Sequence, residues 1–177
     1  MVSFSDPKKN IDQCGIQAGM IIADLGSGSG FYTLESAKAL GSTGKVYAVD
    51  AQKDLLARLK NNATKEGLFN VEVIWGDIEK VGGTHIKDNS IDLILICNLM
   101  FQVTDKKGVV VETRRILASG GRVLLVDWTD SFGGIGPHKE HVFGKVDAEH
   151  LFEASGFSKD REIQAGSHHY GFIYKKL

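Results

Sequence analysis

The stretch Met20–Gly30, which reads Met-Ile-Ile-Ala-Asp-Leu-Gly-Ser-Gly-Ser-Gly, constrains the fold of this chain more than any other. An apolar run too short for a free-standing helix ends at an acidic residue, Asp24. It then breaks into three alternating glycines, Gly26, Gly28 and Gly30, before a helical pattern begins at Phe31. The pattern reads strand, turn, helix. Without a Cβ, these glycines let the backbone turn sharply at the carboxyl end of the strand and come close to a ligand. Such a turn either holds a cofactor or simply joins a strand tightly to a helix.

Two phosphate-binding patterns are excluded here. A dinucleotide fingerprint, GxGxxG, puts its third glycine at position 31, which is Phe31, and a phosphate loop needs Gly-Lys-Ser/Thr where Gly30-Phe31-Tyr32 stands. What remains is Asp-x-Gly-x-Gly-x-Gly. A carboxylate two residues before the first glycine repels a pyrophosphate but attracts a ligand that carries an ammonium or a sulfonium.

The rest of the chain repeats the alternation. Residues 1–18, with Pro7 and apolar Ile11, Cys14 and Ile16, predict a short N-terminal helical segment. Phe31, Leu34, Ala37 and Leu40 recur at helical spacing and stop at Gly41; Val46–Val49 form an apolar strand that ends at Asp50. Leu55, Leu56, Leu59 and Ala63 mark a second helix, and Val71, Val73 and Ile74 or Trp75 a third strand ending at Gly76-Asp77. Residues 81–90, with Gly82 and Gly83, read as loop or frayed helix. Strand 91–96, helix 105–117, strand 122–127 and helix 145–154 follow, and 161–164 with 171–174 suggests a terminal hairpin. Five βα repeats predict one domain over 1–177. Its class is α/β: a doubly wound, mostly parallel seven-stranded sheet with a C-terminal antiparallel hairpin and helices on both faces.

In such sheets the ligand lies outside the carboxyl ends of the strands, near the switch in strand order. Asp24, Asp50 and Asp77 fall at, or within two residues of, the ends of the first three strands. Asp50, twenty residues after Gly30, stands where an acidic side chain accepts hydrogen bonds from two ribose hydroxyls. Asp77 suits the exocyclic amine of an adenine walled by Ile78 and Ala51. Singly, each also fits a turn or a helix cap. Together they run in the order ligand tail, ribose, base.

The runs Asp-Leu-Gly-Ser-Gly-Ser-Gly, Val-Tyr-Ala-Val-Asp, Gly-Asp-Ile and Asp-Leu-Ile-Leu-Ile-Cys-Asn resemble, in order and spacing, the successive motifs of the class I S-adenosylmethionine (SAM) dependent methyltransferases. The resemblance covers the chain from about Ile11 onward. It implies SAM as cofactor, with Asp24 and the backbone of Gly26, Ser27, Gly28 and Gly30 at the methionine part, Asp50 at the ribose, Asp77 and Ile78 at the adenine, and Asn98 beneath the sulfonium. Asn98-Leu99-Met100-Phe101-Gln102 departs from the His-His and Asn-Pro-Pro-Tyr forms of the fourth motif, so amide or adenine-amino methylation is not implied. Ala118-Ser119-Gly120-Gly121 lacks the proline of the family's Pro-Gly-Gly turn. The implied function is methyl transfer from SAM to an acceptor, foremost a small molecule. The alternatives are a protein acceptor and a non-catalytic SAM- or nucleoside-binding subunit, while a nicotinamide oxidoreductase is disfavoured by Phe31.

The same topology brings residues to the acceptor side. The hairpin carrying His168, His169 and Tyr170 is expected at the ligand end, together with Asp127 and Trp128 and the loop bearing His138 and His141. His168, His169 and Asp127 are the candidate catalytic groups; Phe101, Trp128 and Tyr170 are candidate walls of an acceptor pocket. A histidine in a hairpin is also an ordinary surface residue, and His138-x-x-His141 lacks a third ligand, so no metal is expected. A net charge of −1 without a Lys/Arg run argues against a nucleic-acid partner. The run Ile91–Phe101 is too short to span a bilayer and no apolar signal core opens the chain. Cys14 and Cys97 are far apart and read as free thiols of a reducing, cytoplasmic monomer or homodimer.

Overall fold

The computed structural model describes residues 5–177. Strands β1 (Ile21–Leu25), β2 (Lys45–Asp50), β3 (Val71–Trp75), β4 (Ile91–Cys97), β5 (Leu117–Trp128), β6 (Phe157–Ile163) and β7 (His169–Lys176) form one sheet in the order β3-β2-β1-β4-β5-β7-β6. β1 to β5 pair in parallel, and β7 runs antiparallel to both β5 and β6. The strand order reverses between β1 and β4. The glycine turn therefore leaves the sheet at the switch point, where a doubly wound sheet opens a crevice.

Helices α1 (Pro7–Asp12), α2 (Phe31–Leu40), α3 (Lys53–Lys65), α4 (Lys106–Ile116) and α5 (Lys145–Ala154) cover the two faces. Ile11, Tyr32, Leu40 and Leu59 of α1, α2 and α3 pack with Ile22, Leu93 and Leu124 on one face. Val109, Ile116 and Phe152 of α4 and α5 pack with Ala23, Ile94 and Phe172 on the other. The elements follow from local chemistry. Asp6 caps α1 by accepting the Lys9 N–H, Pro7 opens that helix, and Asp105 caps α4 by accepting the Gly108 N–H. In α3, Leu56, Leu59 and Ala63 are buried at helical spacing while charged and amide side chains face out. Full burial of a side chain such as Leu59 stabilises the fold by about 1.5–3 kcal/mol.

Two expectations are revised. Of the five βα repeats only four contain a helix: residues 76–90, between β3 and β4, fold as a chain of turns. The buried Glu112 of α4 holds them, accepting the N–H of Gly82 (2.8 Å) and Thr84 (3.2 Å) and the Thr84 hydroxyl (2.5 Å). Arg115 closes the network on the same carboxylate through Nε (2.8 Å) and Nη2 (2.7 Å). Burial opposes ionisation of Glu112, yet the guanidinium and these donors hold its carboxyl at about 2. The final strands are also longer than the apolar runs suggested. β6 is an edge strand whose Ser158-Lys159-Asp160-Arg161-Glu162 stretch faces solvent, so its register lies in backbone pairing with β7 and not in its hydropathy. Of the N-terminal segment, residues 1–4 lie outside the described residues, and α1 occupies 7–12. No helix among the described residues is long and apolar enough to cross a membrane.

Candidate active site

The three glycines after β1 have separate duties. Gly26 (φ 70°) lies so close to Leu99 that a Cβ would come within 2.5 Å of its Cδ1, and a Cβ on Gly30 would come within 2.5 Å of Leu59, closing the approach of α2 to α3. At Gly28 (φ 51°) a Cβ would meet nothing nearer than the Gly26 carbonyl oxygen at 4.0 Å. Gly28 therefore faces open space, and only backbone stands between the turn and whatever fills that space. The turn is held from below by the Val49 carbonyl, which accepts the N–H of Gly26 (2.8 Å) and Ser27 (3.1 Å).

The space is a cleft of about 300 Å³ that brings together Gly26, Gly28, Asp50, Ala51, Asp77 and Ile78. The Asp50 carboxylate spans the turn and the start of α3, accepting Gly28 N–H (2.9 Å) and Gln52 N–H (2.8 Å). Fixed at both oxygens, it keeps lone pairs for further donors without rotamer freedom to lose. Asp77 accepts Glu79 N–H (3.1 Å) and pairs with Lys80 (2.8 Å), and that ammonium holds its carboxyl below the usual range. Leu99 and Val103, from the segment after β4, complete the apolar wall. Neither carries a local signal in the sequence, because the packing of Leu99 on Gly26 joins segments far apart in the chain.

Asp24 is not in this cleft. The pleat of β1 turns its side chain to the face of α2, where it is 2% exposed and accepts the Thr33 hydroxyl at 2.6 Å. Burial pushes its carboxyl up to about 6. Asp24 thus anchors the first turn of α2 under the glycine turn. Two neutral oxygens in the adjoining turns, Ser27 Oγ and Asn98 Oδ1, are buried with no hydrogen-bond partner among the described residues. Asn98, in left-handed geometry (φ 54°), is set by donation of its N–H to Val126 O at 2.8 Å. Buried acceptors without donors each cost about 1–3 kcal/mol, and an ammonium-bearing tail relieves both. The residues present therefore fit SAM: a carboxylate for a ribose, an apolar slot for a base, and bare acceptors for a methionine ammonium.

On the acceptor side the pleat divides the expected residues. β5 and β7 pair Asp127 with Tyr170 and Trp128 with His169, and directly opposed residues share a face. Tyr170 is 1% exposed, donates its hydroxyl to Phe143 O (2.7 Å) and belongs to the core under α5, so it is no pocket wall. Asp127 is fully buried, with Oδ2 accepting Met100 N–H and Oδ1 accepting Trp128 N–H, each at 2.8 Å. Burial pushes its carboxyl up to about 7 against those bonds, but no acceptor reaches it as a base. Trp128 and His169 lie on the other face, ring centroids 4.3 Å apart. His168 shares a 2.7 Å hydrogen bond between Nδ1 and Ser167 Oγ and stands edge-on to Phe132. Phe101 is half-buried in the turn after β4. His138 and His141 are exposed, and no group of three or more His, Cys, Asp or Glu among the described residues is placed to hold a metal.

Residues 16–161 match the profile of a family described as "Methyltransferase domain". The chain is 30% identical, over 120 residues that make up 67% of it and 47% of the relative, to the ubiquinone/menaquinone biosynthesis C-methyltransferase UbiE of Hahella chejuensis. It is 31% identical over 109 residues, 62% of it and 27% of the relative, to the arsenite methyltransferase of Halobacterium salinarum. The chain thus spans about half the length, or less, of these curated relatives. A SAM-dependent methyltransferase from Aquifex aeolicus superposes on it with a TM-score of 0.88 at 26% identity, over 98% of this chain and 91% of that one. With the glycine turn at the switch point and its cleft already fitting the cofactor, the chain belongs to the class I, SAM-dependent methyltransferase family.

Proposed function

We propose that the protein transfers the methyl group of SAM to a small-molecule acceptor, with residues 5–177 acting as one unit. The observation that carries the reading is the convergence of Gly26, Gly28, Asp50, Asp77 and Ile78 on one cleft at the switch point. Asp50 takes the ribose hydroxyls, Ala51 and Ile78 the faces of the adenine, Asp77 its amine, and Ser27 and Asn98 the methionine end. When bound, SAM supplies a methyl on a sulfonium, whose departure leaves a neutral thioether. The protein's task is then alignment of the acceptor with that methyl, worth up to about 7–11 kcal/mol of barrier. The acceptor's lone pair forms the new bond to the methyl carbon as the carbon–sulfur bond breaks. For an alcohol or amine, the proton released passes to the His169 imidazole, with Trp128 and Phe101 as walls and His168 at the rim.

A small acceptor is favoured because a net charge of −1 offers no basic stripe for a polyanion. The two relatives above are also named for quinone biosynthesis and for arsenite. Buried Cys14 and Cys97, both free thiols, suit a reducing cytoplasm. Calorimetry with SAM tests the donor: binding is expected and is weakened at least tenfold in Asp50→Ala, and no binding at high-micromolar SAM sinks the reading. Labelled SAM incubated with fractionated cell extract tests the acceptor. Label is expected in the low-mass fraction; label confined to protein overturns the small-molecule assignment.

A further inference from the structure

A second cleft, of about 520 Å³, runs along the outer face of α4 and ends at the amino edge of the sheet, away from the glycine turn. It shares no lining residue with the cofactor cleft. Lys107, Val111 and Arg114 follow one another at i, i+4 and i+7 on that face, and Arg115 stands beside Arg114. Val81 lines the cleft from the loop before β4, the end of α5 closes one side, and Lys176 enters from the end of β7. The positive charge here is not neutralised. Of the four cations in the lining, Arg115 alone has carboxylate partners, Asp88 and Glu112. Lys107, Arg114 and Lys176 form no ion pair among the described residues, and Asp88 is the one carboxylate in the lining.

Two of these cations are held in place. Lys176 Nζ donates to Asn89 Oδ1 (2.7 Å) and to Leu117 O, and burial, followed by the Arg114 charge, holds its ammonium below the usual range. The Arg114 guanidinium lies over Gly156, where a Cβ would stand 2.7 Å from its Nε. Basic residues at a helix end often serve only to satisfy its last carbonyls, but here other groups fill that duty. At the end of α4, Asn89 N–H donates to Arg115 O (3.0 Å) and Ser90 N–H to Ile116 O (2.9 Å). At the end of α5, Ser155 Oγ donates to Leu151 O (2.7 Å), and Ser155 and Gly156 N–H donate to Phe152 and Glu153 O (3.1 Å each). Arg114 and Lys176 are left facing each other across a cleft with no anion between them.

We propose that this cleft binds a small phosphate monoester, its dianionic head between Arg114 and Lys176 and its apolar body against Val81 and Val111. The guanidinium offers a planar fork of donors to two phosphate oxygens, and the ammonium a point charge to a third. Cations this few make no track for a polyanion, and about 520 Å³ is room for more than a bare phosphate. Val81 and Val111, 66% and 39% exposed, are apolar surface that the body of such a molecule covers. The site goes beyond the methyltransferase reading and stands independently of it.

The test titrates the full ¹⁵N-labelled chain at about pH 8, where a phosphate monoester is a dianion. Phenyl phosphate is the probe, with inorganic phosphate for the head alone and phenol for the body alone. Phenyl phosphate is expected to shift the amides of Asn89, Val111 and Ser155 and to bind at least about tenfold more tightly than phenol. Inorganic phosphate should shift the same amides with lower affinity. Arg114→Ala should weaken phenyl phosphate by about tenfold or more, since a hydrogen bond to a charged group is lost. Val111→Glu, which sets a carboxylate in the middle of the cleft, should abolish binding, and circular dichroism should be unchanged in both variants. Phenyl phosphate that binds no better than phenol, shifts confined to other amides, or full affinity in folded Arg114→Ala overturns the proposal. Inorganic phosphate that binds as tightly as the ester overturns the assignment of an organic body. Failure of the methyltransferase reading is separate, since it is read from SAM calorimetry and leaves these titrations untouched.

Discussion

The carboxylate of Asp127, at the end of β5, accepts the backbone N–H of Met100 at 2.8 Å and so ties the turn after β4 to the neighbouring strand. That turn carries Asn98 and Leu99, and the Leu99 side chain packs against Gly26. Asp127 is therefore a positioning residue. In Asp127→Asn one amide hydrogen faces a backbone donor and a bond of about 1.5–3 kcal/mol is lost. Melting temperature should fall, and SAM affinity measured by calorimetry should weaken about tenfold or more, with circular dichroism unchanged. Full SAM affinity in a correctly folded variant refutes the positioning role.

The two buried carboxyls make stability depend on pH in an unusual direction. Asp24 is pushed up to about 6 and Asp127 up to about 7, both chiefly by burial, against an unfolded value near 4. The folded state holds these protons more tightly than the unfolded chain. The stability they contribute is complete below about pH 4 and is lost as pH rises through 6 and then 7. Chemical denaturation at steps from pH 4.5 to 8 should show that fall, flattened in part by Asp24→Asn and by Asp127→Asn. Stability that rises steadily across this window contradicts both assignments.

Gly26→Ala brings two penalties that can be separated. A Cβ at φ 70° is strained, and it falls 2.5 Å from Leu99 Cδ1, so Leu99 must leave the cleft wall. The expected loss is more than about 1 kcal/mol in urea denaturation, along with weakened SAM binding. Adding Leu99→Ala relieves the clash but not the backbone strain, so the double variant should recover only part of the loss. Full additivity of the two single effects shows that the contact is not the cause.

How much of this was legible in the chain depends on which signal carried it. The central strands announce themselves as apolar runs closed by an acidic residue, and Asp50, Asp77 and Ile78 reach the cleft as the spacing of the motifs implies. The failures share one cause, the period-two pleat. Asp127 and Trp128 are neighbours in sequence, as are His169 and Tyr170, and position along the chain alone puts each pair on one rim; in a strand, neighbours point to opposite faces. The same alternation buries Asp24 against Thr33. Long-range polar links left no local trace at all. Nothing around Asn10 foretells its bond to Tyr32, and nothing around Glu112 foretells that it organises a loop thirty residues earlier.

That loop gives the last prediction. Residues 76–90 have no helix of their own, and Asp77 and Ile78 are held in the cleft wall because Gly83 O accepts Asp77 N–H (3.0 Å) while Glu112 grips Gly82 and Thr84. Glu112→Gln keeps the shape but leaves Arg115 half-paired and sets an amide N–H₂ against backbone donors. Breaking such a buried pair costs about 3–5 kcal/mol, more than a surface ion pair returns. Hydrogen exchange should speed first at Gly82, Thr84 and Ile86, ahead of β1 and β4, and SAM should bind more weakly without any change at the glycine turn. If exchange instead rises uniformly across the sheet, Glu112 supports the core as a whole and the loop is held by other contacts.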